Sequence, residues 1–492
     1  MLHRGELRTA QKRLPISSVS ARPRPLTRAE SQIHRPMKPL LSSAPALAVA
    51  LALISAFAGC TLAPSAGEKQ ARANVAQLGE TLRPARAKPV LPALTPESPV
   101  TDYVRFAVLN HPQVEAAYHD WRASVAAIAP TRALPDPQFT FEADIADTLM
   151  TFMPGLMFDF MTPGKRTAMS REMIASSNVA YRAYVSTVLR AAAQARKAWI
   201  ELAFLDESIR LSASSVSALE QSLALANVDY TTGRGMGSLA NQVRVTNDIA
   251  KVRNDLATLG DRRSAARIRF KSALGLVPTD VDPAWPQASL AATALPSEDE
   301  LWRRASAANA ELAQMRAMVE MAVASIEVAR KAGTPDFTIG GMADLKADPL
   351  MFRPTATVTL PIWREKIAAN IAVAEARRDA SKARVTAEQL NLAAELAQML
   401  YMVREADRMI AYIEQTALPN FERAIATVEA GYQSGMTGPG MIPETKLMVL
   451  TMRLERVAAL RERENAVTEL LLLTADVAPA GSPLLAASAT QP

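Results

Sequence analysis

The segments PQFTFEADI (137–145) and PDFTIGGMADL (335–345) each alternate apolar and polar residues. Successive side chains of a β-strand point to opposite faces of a sheet. Each segment therefore predicts a strand with one apolar and one polar face. In the first segment the apolar face holds Phe139, Phe141, Ala143 and Ile145, and the polar face holds Gln138, Thr140, Glu142 and Asp144.

A second alternating run follows each strand, LMFDFM (156–161) in one case and TATVTL (355–360) in the other. The sequence thus predicts two β-hairpins, with the loop of the first around residues 147–156. The residue types place Asp159 and Asp344 on the same polar face as Glu142 and Asp144.

The rest of the chain has helical periodicity. Between Lys165 and Tyr230 there is no proline or glycine, which predicts one helix of about 100 Å at about 1.5 Å per residue. The helix ends at the turn TTGRGMGS (231–238), and a shorter helix returns over residues 239–274. We expect two short helices to lie end to end against the long one, because its apolar stripe must be covered.

The two halves of the chain repeat each other. A spacing of 198 residues separates HPQV (111–114) from NAEL (309–312), Phe139 from Phe337, and Pro163 from Pro361. This indicates a tandem duplication. It sets a first repeat at 99–276, a Pro-rich linker at 277–296, a second repeat at 297–475, and a tail at 476–492 that is expected to be disordered.

The N-terminal region resembles a targeting segment. The apolar run ALAVALALISAFAGC (46–60) follows Lys38 and is too short to span a bilayer but suits a signal peptide. It ends in FAGC (57–60), similar to a bacterial lipobox, so Cys60 is the expected lipid anchor. The alternative is a buried cysteine in a transmembrane anchor. We assign 1–36 to an upstream extension, 37–59 to the signal peptide and 60–98 to an extended tether.

The charges argue against a nucleic-acid-binding protein. Residues 1–38 hold nine basic and two acidic residues, which leaves 46 basic and 47 acidic residues in the rest of the chain. A basic surface is the usual mark of nucleic-acid binding. No nucleophile and base are spaced for catalysis. The sequence therefore predicts no enzyme, no cofactor and no resident metal.

Two interpretations of the hairpins remain open. They could form a soluble four-stranded sheet packed on the helices, or lipid-facing strands around a wet interior. A sheet in a membrane must close on itself, and known barrels begin at about eight strands. Four strands per chain would thus require several chains, and three chains would give twelve strands.

Several motifs together resemble one family. They are the two-half organisation, the helix starts NHP (110–112) and NAEL (309–312), DPQF (136–139) with PDF (335–337), PGKR (163–166), and the turns YTTG (230–233) and YQSG (432–435). Residues from about Val100 to Thr474 resemble a TolC-type outer membrane factor of the outer membrane efflux protein family. DPQF with PGKR is most similar to the branch that serves heavy-metal or copper pumps of the RND type.

The resemblance implies a mainly α-helical chain with a membrane β-barrel portion. It implies a homotrimer with a twelve-stranded barrel and a helical periplasmic tunnel, anchored in the outer membrane of a Gram-negative bacterium. Its function would be that of a passive exit duct, working with an inner membrane transporter and a periplasmic adaptor. The alternative is a soluble periplasmic lipoprotein, a coiled-coil bundle with a structural or adaptor role.

The resemblance also implies roles for particular residues. The glycine turns would lie at the periplasmic tip, where the adaptor docks, and an acidic residue after the second turn, Glu444, would constrict the pore. The expected adaptor contacts are Tyr230, Gly233, Gly235, Tyr432, Gly435, Gly438 and Gly440. Glu142, Asp144, Asp159 and Asp344 would line the barrel lumen. Six methionines between 150 and 173 suit either packing or contact with a soft metal ion.

Overall fold

The computed structural model describes residues 63–84, 87–145, 149–232, 239–287, 289–438, 440–479 and 482–484. The predicted upstream extension, signal peptide and anchor Cys60 lie outside these ranges. In the part of the chain that the structure describes, no helix has both the length and the hydropathy of a bilayer-crossing segment.

The first half runs from short helices through two strands to a long helix and its return. Its elements are α1 (Ala66–Leu82), α2 (Val100–Asn110), α3 (Pro112–Ala126), α4 (Ile128–Arg132), β1 (Gln138–Ile145), β2 (Leu149–Phe160), α5 (Pro163–Thr232) and α6 (Leu239–Ala273).

The second half repeats this order after α1, except that α4 has no counterpart and a π-helical turn divides the long helix. It consists of α7 (Glu298–Ala308), α8 (Ala310–Lys331), β3 (Asp336–Asp344), β4 (Met351–Thr359), α9 (Arg364–Tyr412), a π-helical turn (Ile413–Ala417), α10 (Leu418–Gln433) and α11 (Met441–Leu473).

Helix packing follows the predicted arrangement. The long helix α5 contacts α2 and α3 along one part and α6 along another, and in the second half α9 contacts α7, α8 and α11. The halves are joined because α5 also packs against α8 and α11. Burial of the apolar stripes of the long helices thus stabilises the bundle.

An asparagine marks the same break in each half. Asn110 ends α2, and its side-chain amide donates to the carbonyl of Leu274 at 3.0 Å; the amide of Asn309 donates to the carbonyl of Leu473 at 3.3 Å. The last carbonyls of a helix have no partner within the helix. Each asparagine thus ties the break between two short helices to the end of the returning helix.

The two hairpins form one antiparallel sheet in the order β1-β2-β3-β4. Strand β2 pairs with β3 from Gly155 opposite Met342 to Phe160 opposite Phe337. Strands β1 and β4 are the edges. Within the described residues no helix packs extensively on either face of the sheet.

Strand β2 is longer than the sequence predicted. It begins at Leu149, so the expected loop at 147–156 is wrong for most of its length. Pro154 and Gly155 favour a turn locally, but Pro154 lies opposite Phe141 and Gly155 opposite Thr140. Pairing with β1 and β3 outweighs the local preference.

The extended tether predicted at 60–98 is also wrong in part, because α1 occupies residues 66–82. Ser65 caps the helix by accepting from the backbone N–H of Glu68 at 3.2 Å. The face with Val75 and Leu78 is buried, and the Tyr118 hydroxyl donates to the carbonyl of Val75 at 3.2 Å. Helical spacing of a few apolar residues therefore outweighs the Ala- and Pro-rich composition.

The described part of the tail is ordered rather than disordered. Val477 is buried, and Leu484 packs against the main core. The buried Tyr184 hydroxyl donates to the carbonyl of Pro483 at 2.5 Å. Residues 485–492 lie outside the described ranges. This segment has low sequence complexity, but it packs on the core because it contains apolar residues.

The linker between the halves is held by a buried charge network. The Glu464 carboxylate, in α11, accepts from Arg463 at 2.8 Å and Arg196 at 3.2 Å, and from the backbone N–H and hydroxyl of Thr293 at 2.8 and 2.6 Å. Only 3% of Glu464 is exposed. Because buried charges need partners, the network fixes the linker onto both long-helix systems.

Four carboxylates gather where α8, α9 and α11 meet. Burial raises the pKa of Glu395, and the negative charges of Glu388, Glu469 and Glu311 raise it further. A raised carboxyl pKa stabilises the fold below the unfolded-state pKa, and this contribution is lost as the pH rises through the folded-state pKa.

We therefore expect Glu395→Gln to stabilise the protein slightly at pH 7 and so to raise its thermal midpoint. The gain in the free energy of unfolding should be no more than about 1 kcal/mol, because the side chain is exposed. The gain should disappear near about pH 4. Thermal unfolding of both proteins across this range measures it, with the exposed Glu405→Gln on the same helix as control. A pH-independent gain would contradict the electrostatic explanation.

Candidate functional site

One face of the sheet is apolar and open. The register places Phe139 next to Leu156, Phe158 next to Ile339, and Phe337 next to Val358 on this face. Phe139 is 71% and Phe352 70% exposed. The alternation predicted for the strands is therefore present across all four, and its apolar side is not covered by the described chain.

The other face carries the polar side chains. Asp159 accepts from the Thr338 hydroxyl at 2.6 Å and from the Gln138 amide at 3.0 Å. Asp144 accepts from the Thr151 hydroxyl at 3.2 Å. Glu142, opposite Met153, is exposed. These three carboxylates share the predicted polar face.

Asp344 belongs to the same face by register but is only 3% exposed. Its carboxylate accepts from the backbone N–H of Lys346 at 3.0 Å. In the single chain it therefore holds the start of the β3–β4 connection, and its place in a barrel lumen stays a prediction.

Methionines occupy much of the polar face. The alternation predicted Met157, Met161 and Met342 there, and the register adds Met153, which lies opposite Glu142. The side chain of Met342 lies over Gly155, and that of Met157 lies over Gly340. Met153 is 2% exposed. Because these two glycines have no side chain, they leave space that the methionine side chains fill. A glycine opposite a methionine on neighbouring strands is the sequence feature that could have predicted this packing.

The PGKR motif (163–166) joins the sheet to the helices. Lys165 forms an ion pair with Asp336 at 2.5 Å, and Arg166 donates to the carbonyl of Arg132 at 3.2 Å. The Thr162 and Thr334 hydroxyls lie 3.1 Å apart. The motif therefore ties the exit of β2 to the entrance of β3.

At the far end of the long helices, the structure describes one of the two predicted turns. Gly233 and Gly235 lie outside the described residues, and Tyr230 beside them is 50% exposed. In the second turn Gly435 has φ +75°, a conformation that favours glycine. Tyr432 and Gly438 are partly exposed.

Gly440 has a different surrounding from the other turn glycines. It is buried, its carbonyl accepts from Arg244, and a side chain at this position would meet Asn241. Gly440 therefore lies inside the contact between the two helical hairpins, and its role as an adaptor contact stays a prediction.

Glu444 lies beside the same contact. Its carboxylate is 3.2 Å from Arg244 Nη1, and about half of each side chain is exposed. A groove of about 510 Å³ runs past both residues to Phe421 and Met448. Sequence reasoning found Glu444 but missed its partner, because 200 residues separate them.

The comparisons with known proteins agree with this architecture. The family model described as outer membrane efflux protein matches residues 301–476. A search of the curated proteins finds no match.

Three solved structures of membrane proteins have the same fold. CusC is 15% identical with a TM-score of 0.66, covering 78% of this chain and 93% of that one. VceC from Vibrio cholerae is 15% identical with a TM-score of 0.62, covering 77% and 96%. MtrE from Neisseria gonorrhoeae is 15% identical with a TM-score of 0.65, covering 77% and 89%.

The resemblance to TolC-type outer membrane factors is thus confirmed. Residues 301–476 match the family model of the outer membrane efflux proteins, and most of the described chain has the fold of CusC and VceC.

Proposed function

We propose that the chain is one subunit of a homotrimeric exit duct in the outer membrane of a Gram-negative bacterium. The observation that carries this proposal is the uncovered apolar face of the four-stranded sheet, with Phe139 71% and Ile339 56% exposed. Apolar area of this kind needs lipid or protein to cover it. Lipid requires a closed barrel, and three chains supply enough strands to enclose water.

The alternative of a soluble coiled-coil bundle is not favoured. That interpretation needs the sheet to pack on the helices, whereas in the described chain the strands mainly contact each other. In the proposed duct, the aromatic face of the sheet contacts lipid, and the face with Glu142, Asp144 and Asp159 contacts water.

The duct would act passively, with no catalytic step, between an RND-type inner membrane transporter and a periplasmic adaptor. Tyr230, Tyr432, Gly435 and Gly438 are the proposed adaptor contacts, together with Gly233 and Gly235 of the first turn. The proposed cargo is small solutes or metal ions, because DPQF (136–139) and PGKR (163–166) resemble the heavy-metal branch. The sensitivity of a deletion strain to metal salts and to drugs would test the cargo.

Membrane fractionation tests the proposal without relying on the lipid anchor. Cys60→Ala removes the only cysteine of the chain and with it any acylation. We expect the variant to remain in the outer membrane after a high-salt wash, since the barrel alone would hold it. Release of the variant into the soluble periplasmic fraction would contradict the barrel.

Glu444 is the proposed pore constriction. Carboxylates around a narrow pore favour cations, so Glu444→Gln should lower the cation preference of the channel in planar bilayers. The matched control is Glu422→Gln, which removes another exposed carboxylate that pairs with an arginine, Arg453 at 3.5 Å. An unchanged ion preference for Glu444→Gln would argue against the assignment.

A further inference from the structure

The apolar surface of the sheet continues past the end of β4. Leu360, Ile362 and Trp363 are 63%, 66% and 71% exposed, although they lie at the junction where α9 begins. In membrane proteins, tryptophan is typical of the boundary between the lipid chains and the headgroups.

The corresponding junction of the first half is closed. At the spacing of 198 residues, Arg166 corresponds to Arg364, and Lys165 to Trp363. Arg166 is 7% exposed and bonded to the carbonyl of Arg132, and Lys165 pairs with Asp336. Both cationic side chains of the first junction thus have partners within the chain.

The second junction leaves its cations free. Arg364 and Lys366 are exposed, and among the residues that the structure describes no carboxylate pairs with either. Together with Ile362, Trp363, Glu365 and Ala369 they line a groove of about 530 Å³. With Glu365 as the one acid, the groove carries a net positive charge next to an apolar wall.

We propose that this groove binds the headgroup of an anionic phospholipid in the periplasmic leaflet of the outer membrane. The phosphate lies against Arg364 and Lys366, while the acyl chains follow Trp363, Ile362 and Leu360 onto the apolar face of the sheet. Basic side chains at a membrane surface attract anionic lipids. The inference rests on the proposed membrane barrel, and the test below separates the two.

The probes are phospholipids with brominated acyl chains, which quench a tryptophan that touches them. The chain has five tryptophans, and the other four, Trp121, Trp199, Trp285 and Trp302, belong to the helices and the linker. The full-length protein is reconstituted into phosphatidylcholine vesicles that contain a minor fraction of either brominated phosphatidylglycerol or brominated phosphatidylcholine. Trp363→Phe shows how much of the quenching comes from Trp363.

We expect brominated phosphatidylglycerol to occupy the site roughly three- to five-fold better than brominated phosphatidylcholine. Arg364→Gln with Lys366→Gln should equalise the two lipids while quenching by both persists. The control pair Lys382→Gln with Arg384→Gln makes the same charge change at exposed positions of the same helix, and should keep the preference.

Equal quenching of the wild-type protein by the two lipids would overturn the headgroup site while leaving the barrel intact. Absence of quenching in protein that floats with the vesicles would mean that another subunit covers Trp363, and it would also overturn the site. Failure of the protein to float with the vesicles would instead refute the membrane barrel, and the lipid site with it.

Discussion

Glu464→Ala is expected to lower the stability of the protein by about 3–5 kcal/mol, the cost of removing one partner from a buried ion pair. The carboxylate accepts from Arg463 and Arg196 and from Thr293, and it is almost fully buried. Its loss would leave two guanidinium groups with fewer acceptors and would free the linker between the two halves.

The neighbouring Glu462→Ala is the control. Glu462 lies two residues before Glu464 in the sequence and pairs with Arg461 at 2.5 Å, but half of its side chain is exposed. Surface pairs contribute between about 0 and 1 kcal/mol. Thermal unfolding of the purified proteins should show a large loss for Glu464→Ala alone. Equal losses would contradict the assignment of the network as the linker's attachment.

The second large effect is expected from an arginine on the apolar face of the sheet. Ala356 lies opposite Ile339 on that face near the middle of β4, and the adjacent Thr357 lies opposite Thr338 on the polar face. An arginine facing lipid at the bilayer midplane costs about 2–4 kcal/mol. Ala356→Arg should therefore reduce the protein recovered in the outer membrane more than about ten-fold.

Thr357→Arg is the matched control, because it adds the same side chain one residue away on the other face. We expect it to assemble at close to the wild-type level, since the added charge faces water. Immunoblots of separated outer membranes would measure both variants. Similar losses for the two would contradict the division of the sheet into a lipid face and a water face.

The features that were predictable from the sequence depend on local patterns. The long helix α5 was bounded within two residues at each end, because no proline or glycine interrupts it. Strands β1 and β3 were recognised by alternation, which needs no knowledge of their partners. The resemblance to the family followed from several short motifs, most of which recur in the two halves.

The features that were missed depend on contacts between distant parts of the chain. The local sequence at Pro154–Gly155 predicts a turn. Only the pairing with β3 shows that Met342 fills the space over Gly155 in a continuous strand. The partner of Glu444 lies in the other half of the chain. The Ala- and Pro-rich composition did not predict helix α1. Only its contact with Tyr118 shows that Val75 and Leu78 form a buried face.

The central claim is that four strands per chain close into a barrel only together with other chains. Native mass spectrometry of the protein extracted from outer membranes in mild detergent tests it most directly. The account predicts a complex with three times the mass of the mature chain, stable without an adaptor present. A monomer under conditions that keep the protein folded would contradict it.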